Sequence, residues 1–260
     1  MTICIAAVCK HESKDMFVIA TDHMISVGIG QFEHDIKKHK KIDNKNMIAM
    51  LSGNALIFNE LISGIETQHN FEDIKNLIYN NFINKKQDWI KKELLSKFNL
   101  SFEDIKELMM GRAQMNTFTI KLVEQVIKAE LQTSILLVGC ENGKNHIAEI
   151  NENGIDNYDD IHFHAIGSGS MQAANTLLFQ KQSKCDDLRT TIYNIYKSKR
   201  NSEVAVGVGR DTDILILNEK EVIELTKENL GLLDKIYSDE LSSGKGSKEL
   251  EKINIQFTNK

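Results

Sequence analysis

The chain opens with a nearly unbroken apolar run. Residues 2–9, Thr-Ile-Cys-Ile-Ala-Ala-Val-Cys, carry no charged side chain, the pattern of a strand covered on both faces. A polar turn from Lys10 to Lys14 leads to Met16-Phe17-Val18-Ile19-Ala20, which closes at Thr21-Asp22. Two apolar runs about a short polar turn predict a β-hairpin. Residues 46–51 form another buried run ahead of Ser52-Gly53. The period then lengthens. Leu56, Glu60, Leu61 and Ile65 fit one helix, and Ile74, Leu77, Ile78, Phe82 and Trp89 predict a long amphipathic second one. Ser101-Phe102-Glu103-Asp104 predicts the capped start of a third, running toward residue 129 with Gly111 as its weak point. Strand patterns return at 133–140, 144–150 and 161–166, with Asn142-Gly143 as the hairpin turn between the first two. Helices are expected at 170–182 and 185–199. Paired strands Asp213–Leu217 and Val222–Leu225 then turn at Asn218-Glu219-Lys220, and a short helix follows near 228–240. Ser242-Ser243-Gly244-Lys245-Gly246-Ser247 reads as a flexible linker to a short tail, so that 242–260 stands apart from a domain of residues 1–241.

The order of elements is strands, helix pair, strands, helix pair, strands. Two sheets packed face to face, with helices on both outer sides, satisfy that order as an α+β fold, a four-layer αββα sandwich. A Rossmann-like sheet would need alternating βαβ units, which the paired hairpins oppose.

Composition narrows the function classes. The 260 residues are 41% hydrophobic and 27% charged, ordinary globular values. A net charge of −5 gives no overall basic field for a nucleic-acid backbone; Lys37, Lys38, Lys40 and Lys41 are a local exception, whose ordinary meaning is a solvated basic face. No stretch approaches the length of apolar sequence that spans a bilayer, and the N-terminus lacks the cationic region of a secretory signal. Cys4, Cys9, Cys140 and Cys185 have no CxxC spacing and read as reduced thiols of a cytoplasmic protein. No cofactor is expected. His162 and His164 are a candidate metal pair on one strand face, but no third ligand stands at a recognisable spacing, so no metal is expected either. Gly207-Val208-Gly209 lacks the third glycine of a dinucleotide loop, and Gly244-Lys245-Gly246-Ser247 lacks the rest of a phosphate-binding loop.

The candidate chemistry sits at the start. Removal of Met1 would leave Thr2 with both a hydroxyl and a free α-amine. An α-amine titrates at roughly 7.7–8.0, so a neutral fraction is available to take the hydroxyl proton, the Thr/N-terminal-amine form of nucleophile activation.

Five elements in order then resemble proteasome β subunits and the bacterial ATP-dependent proteasome-like peptidase, which are N-terminal-nucleophile (Ntn) hydrolases. Met1-Thr2-Ile3-Cys4-Ile5-Ala6-Ala7-Val8 looks like that family's first strand, beginning at its nucleophile. Val18-Ile19-Ala20-Thr21-Asp22 resembles its second strand, and Asp35-Ile36-Lys37-Lys38-His39-Lys40-Lys41-Ile42 its lysine segment, with Lys38 sixteen positions after Asp22 as the family pattern asks. Ala49-Met50-Leu51-Ser52-Gly53 resembles the strand end that supplies an oxyanion-binding amide. Ala165-Ile166-Gly167-Ser168-Gly169-Ser170 resembles the Gly-Ser-Gly loop behind the nucleophile. The likeness runs from residue 2 to about 66 and from 133 to about 225.

The resemblance implies Thr2 as nucleophile, Lys38 lowering the pKa of its hydroxyl and amine, Asp22 holding Lys38, Gly53 offering an oxyanion N–H, and Ser168 hydrogen-bonding the α-amine. It implies an acyl-enzyme hydrolase of peptide or other amide bonds that self-assembles into rings or stacked rings. It also marks residues 67–130 as an inserted helical segment, a surface for a partner protein or a cover for the active-site mouth. One departure stands out. Asn201 occupies the place of an expected acid, and no serine closely precedes Gly207 and Gly209. An inactive proteasome-like scaffold or binding subunit, or an Ntn amidase or transferase acting on a small molecule, are the alternative readings.

Overall fold

Strand alternation sorts the apolar side chains into faces, and the faces into cores. The computed structural model describes residues 2–27, 30–42, 46–112 and 116–243. Within these, β1 (Ile3–His11) and β2 (Lys14–Asp22) form the predicted hairpin, joined by β10 (Phe163–Gly167), β11 (Thr212–Leu217) and β12 (Val222–Glu224) in a five-stranded antiparallel sheet of order β10-β1-β2-β11-β12. A second five-stranded antiparallel sheet has the order β5-β6-β7-β8-β9, from β5 (His39–Ile42), β6 (Met47–Ser52), β7 (Ser134–Glu141), β8 (Lys144–Asn151) and β9 (Gly154–Asn157). A small hairpin of β3 (Met24–Val27) and β4 (Gly30–Glu33) stands apart from both.

Because side chains alternate along a strand, β1 feeds two cores. Cys4, Ala6 and Val8 join Phe17, Ile19 and Leu215 against Ile48, Met50, Leu136 and Val138 of the second sheet. Ile3, Ile5 and Ala7 turn the other way, to helices α5 (Ser170–Phe179), α6 (Leu188–Ser202) and α7 (Lys227–Ser243), through Ala173, Leu177, Ile192, Ile195 and Leu233. The far face of the second sheet, with Ala49, Leu51, Leu137 and Ala148, packs on α1 (Phe58–Leu61) and α2 (Phe71–Ile90) through Leu61, Ile74, Ile78 and Phe82. Each fully buried side chain of this size contributes about 1.5–3 kcal/mol over leaving it in water. That explains why β1, short of charge for seven residues, is buried on both faces.

Several predicted elements differ in extent. Rather than one long third helix there are two, α3 (Phe102–Met109) and α4 (Thr117–Ile127). Gly111, with φ +70°, follows the end of α3, and Asn116 starts α4 afresh by accepting from the amides of Phe118 and Thr119. These helices and the end of α2 share a small separate core of Ile90, Leu95, Ile105, Leu108, Leu122, Val123 and Ala129, while Phe98, Phe102, Met109, Met110 and Phe118 remain exposed. The strand expected from residue 161 begins at Phe163, because His162 sits in a turn with φ +67°. The two histidines therefore do not share a strand face: His164 alone is in the strand, paired with Glu149 at 2.7 Å and stacked on Tyr158. The final helix runs through Ser243 and takes the first two residues of the expected linker. The remainder of that linker and tail, like Met1, lies outside the described residues. No helix among the described residues is long and apolar enough to cross a membrane.

Candidate active site

Four chain segments meet at the open end of the first hairpin: the start of β1, the end of β2, the turn before β5, and the loop between α6 and β11. Asp22 is the last residue of β2 and is fully buried. A carboxylate without water must find its partners in the protein. One oxygen accepts the Ile3 amide at 3.1 Å and the Lys38 ammonium at 2.7 Å; the other accepts the amides of Gly209 at 2.9 Å and Met24 at 3.2 Å. Charge-assisted bonds of this kind are about twice as strong as neutral ones.

Lys38 is 7% exposed. Its backbone carbonyl takes the Leu51 amide at 2.8 Å, which locks the turn before β5 onto the end of β6. Its ammonium also donates to the Thr2 hydroxyl oxygen, and that hydroxyl donates to Asp22. Thr2, Asp22 and Lys38 thus form a closed triangle: the Thr2 oxygen receives a positive donor while its own proton points at a carboxylate. Such an arrangement can polarise a hydroxyl.

Behind Thr2 the backbone is tight. Gly167 pairs with Ile3 and has φ +106°, and a Cβ there would strike the Thr2 carbonyl and come within 3.0 Å of Ser52 Oγ. Ser168 donates to the Thr2 carbonyl oxygen at 3.4 Å, which places its hydroxyl beside the nucleophile candidate's backbone. Gly53, at φ +114°, closes β6 in a place where a Cβ would collide with the Gln132 carbonyl and lie 2.7 Å from Thr133 Cα. A side chain at Gly53 would thus meet residues 132 and 133, whereas the hydroxyl of buried Ser52 is the group of that strand end that lies beside Gly167. Ser52 was hidden in the sequence inside a motif whose glycine drew attention. Cys4, two residues along, donates its thiol to the Leu51 carbonyl at 3.3 Å; burial pushes that thiol far up, which makes it inert.

Asn201, the departure from the expected acid, faces elsewhere. Its amide donates to Thr176 at 3.0 Å and its oxygen accepts from Tyr237 at 2.8 Å, bracing α5, α6 and α7. Lys37 is not part of a free basic face: it bridges Asp213 at 2.8 Å and Glu224 at 2.6 Å, while Lys40 and Lys41 are exposed. Among the described residues no group of three or more His, Cys, Asp or Glu side chains is arranged to hold a metal ion.

No family model matches the chain, and no curated protein matches it in sequence. In structure, 99% of this chain is similar to 100% of a chain of a Gly-1 mutant of Anbu from Hyphomicrobium sp. strain MC1, with a TM-score of 0.60 at 15% identity. At that identity the likeness is one of fold, and the fold is that of a bacterial protein of the proteasome-like Ntn-hydrolase kind.

Proposed function

We propose that the chain is an Ntn amide hydrolase, most naturally a peptidase, working through an acyl-enzyme on Thr2 after Met1 is removed. The observation that carries this reading is the triangle of Thr2 hydroxyl, Asp22 carboxylate and Lys38 ammonium. The freed α-amine takes the hydroxyl proton and Thr2 Oγ1 attacks the substrate carbonyl carbon. The C–N bond then breaks, the amine leaves with the proton, and water hydrolyses the ester to regenerate Thr2. Lys38 stabilises negative charge on Oγ1, and Asp22 keeps that ammonium charged and aimed. The amides at the end of β6, at Ser52 and Gly53, are the proposed oxyanion donors.

The same reading takes the two sheets and their outer helices as a four-layer αββα sandwich within one domain, residues 1–241, that acts in the cytoplasm. It takes residues 67–130 as an insertion that offers a surface to a partner protein, and the working form as a homo-oligomeric ring. A second reading, an inactive scaffold or binding subunit, is favoured by Asn201 being occupied with Thr176 and Tyr237.

Intact mass before and after an electrophile selective for N-terminal threonine separates the two. We expect loss of Met1 and one stoichiometric adduct, absent in Thr2→Ala. A processed chain that never labels would leave the scaffold reading standing.

A further inference from the structure

A lysine that plays no part in the proposed chemistry is the most completely buried cation among the described residues. Lys199, in the last turns of α6, is 0% exposed. Its ammonium donates to Glu203 at 2.7 Å and to the backbone carbonyl of Arg210 at 2.5 Å. A charge this deep is costly to keep, and Glu203 does not need it, since Arg200 already meets the same oxygen at 2.9 Å.

What Lys199 adds is a hold from α6 on the loop that follows it, at the Arg210 carbonyl, which also accepts the Thr212 hydroxyl at 2.9 Å from two residues on. From the other side, Glu33 at the end of β4 accepts the amides of both Arg210 and Asp211. The loop is therefore gripped by its carbonyl from α6 and by its amides from β4. Between the grips, Gly209 turns its N–H to Asp22 at 2.9 Å. We propose that Lys199 is a positioning residue for the catalytic centre: it holds the 209–211 loop so that Gly209 presents its amide to Asp22, and its charge acts on that carboxylate at longer range. The proposal rests on the reading of Thr2 as nucleophile.

Burial pulls the Lys199 pKa down, while Glu203 and, at longer range, Asp22 oppose that pull. The groups that surround Asp22 are Lys38 from the turn before β5, Lys199 from α6, Cys4 from β1, and the Thr2 amine once freed.

The test uses Lys199→Met in the full chain, with two readouts. The first is hydrogen exchange of the Gly209 amide, expected about tenfold faster or more once the loop loses its anchor. The second is the pH at which Thr2 is half-maximally labelled. Removing a nearby positive charge raises the pKa of the α-amine, so the midpoint should move up by about half a unit or more. A merely structural lysine would lower thermal stability and leave that midpoint in place. Should Lys199→Met fail to fold, Lys199→Gln, which keeps a donor for the Arg210 carbonyl but not the charge, gives the same midpoint measurement. A folded variant in which the Gly209 exchange or the midpoint stays at the wild-type value overturns the proposal. If the wild-type chain never labels, the nucleophile reading has failed instead, and Gly209 exchange still decides whether Lys199 holds the loop to Asp22.

Discussion

Asp22 and Asp213 lie on neighbouring strands, one residue out of register, and end on opposite faces of one sheet. Thr21 pairs with Asp213 and Asp22 with Thr212; alternation then turns Asp22 to the helix-covered face with Ala20, and Asp213 toward the second sheet with Leu215. Each carboxylate draws one lysine from the turn before β5, and Asp213 adds two histidines. Asp22 takes Lys38 at 2.7 Å, while Asp213 takes Lys37 at 2.8 Å, His23 at 3.0 Å and, more distantly, His39 at 3.8 Å. The dipeptides Asp22-His23 and Lys37-Lys38 are thus divided between the two clusters, one residue to each.

Yet the clusters differ in what surrounds them. Asp22 and Lys38 are closed off from water and include the candidate nucleophile. Asp213 is buried, but its partner Lys37 is 43% exposed, as is half of Glu224 beyond it. Burial alone would raise the Asp213 carboxyl; His23 and Lys37 outweigh it and hold the group at about 2. Asp213 in turn raises His23, and burial lowers His39. The lesson is that an extended chain can place a reactive charge and a bracing charge on consecutive residues, and that burial of the partner decides which is which.

The comparison can be broken most severely at Lys38. Lys38→Met should abolish Thr2 labelling and, by leaving Asp22 buried with only neutral donors, cost about 3 kcal/mol in urea denaturation. A variant that labels at the wild-type rate would remove Lys38 from the site. At the bracing cluster, Asp213→Asn should cost about 2 kcal/mol near pH 5 to 6 while Thr2 still labels. The cost should depend on pH in a defined sense. His23, raised in the fold, lends stability in full below its ordinary value of 6.5, and that share fades as pH climbs through the raised value. Asp213, depressed in the fold, lends stability above its ordinary 3.8, lost as pH falls toward about 2. The gap between wild type and Asp213→Asn should therefore be widest between these limits; a gap that is flat from pH 3 to 9 would dismiss the His23–Asp213 pair. Smallest of all should be Lys37→Met. Next door to the most damaging substitution, it should cost under about 1 kcal/mol, the worth of a solvent-screened ion pair, and a larger loss would mean the two clusters are not separate.

Much of this was legible in the sequence. The strands with long apolar runs, β1, β2, β6 and β7, announced themselves, as did Asn142-Gly143 and the amphipathic face of α2. The β3–β4 hairpin did not, because its strands are only four residues each and the alternation of Ile25, Val27 and Ile29 is broken up by Gly28 and Gly30, residues that weaken a strand signal. The third helix was overextended because Gly111 looked like a blemish, where its positive φ instead follows a true end. Thr2, Asp22 and Lys38 were readable because their spacing is local to one hairpin and the segment after it. Gly209, Lys199 and Glu33 were not. Gly209 reaches Asp22 across 187 positions of chain, and Lys199 and Glu33 meet the loop that carries it, only through tertiary closure; no pattern of period or spacing records such a meeting. Ser168 does lie beside Thr2, but its bond to the Thr2 carbonyl was not legible in the sequence.

One rod joins two bodies. The early turns of α2 sit in the core beneath the second sheet through Phe71, Ile74, Ile78 and Phe82, and its last residue, Ile90, belongs to the core of the helical segment beyond. Twenty residues of helix span about 30 Å, so this is a shaft clamped at both ends. Whatever grips the exposed aromatic and methionine side chains of the helical segment applies its torque, through that shaft, to the layer on which the end of β6 rests.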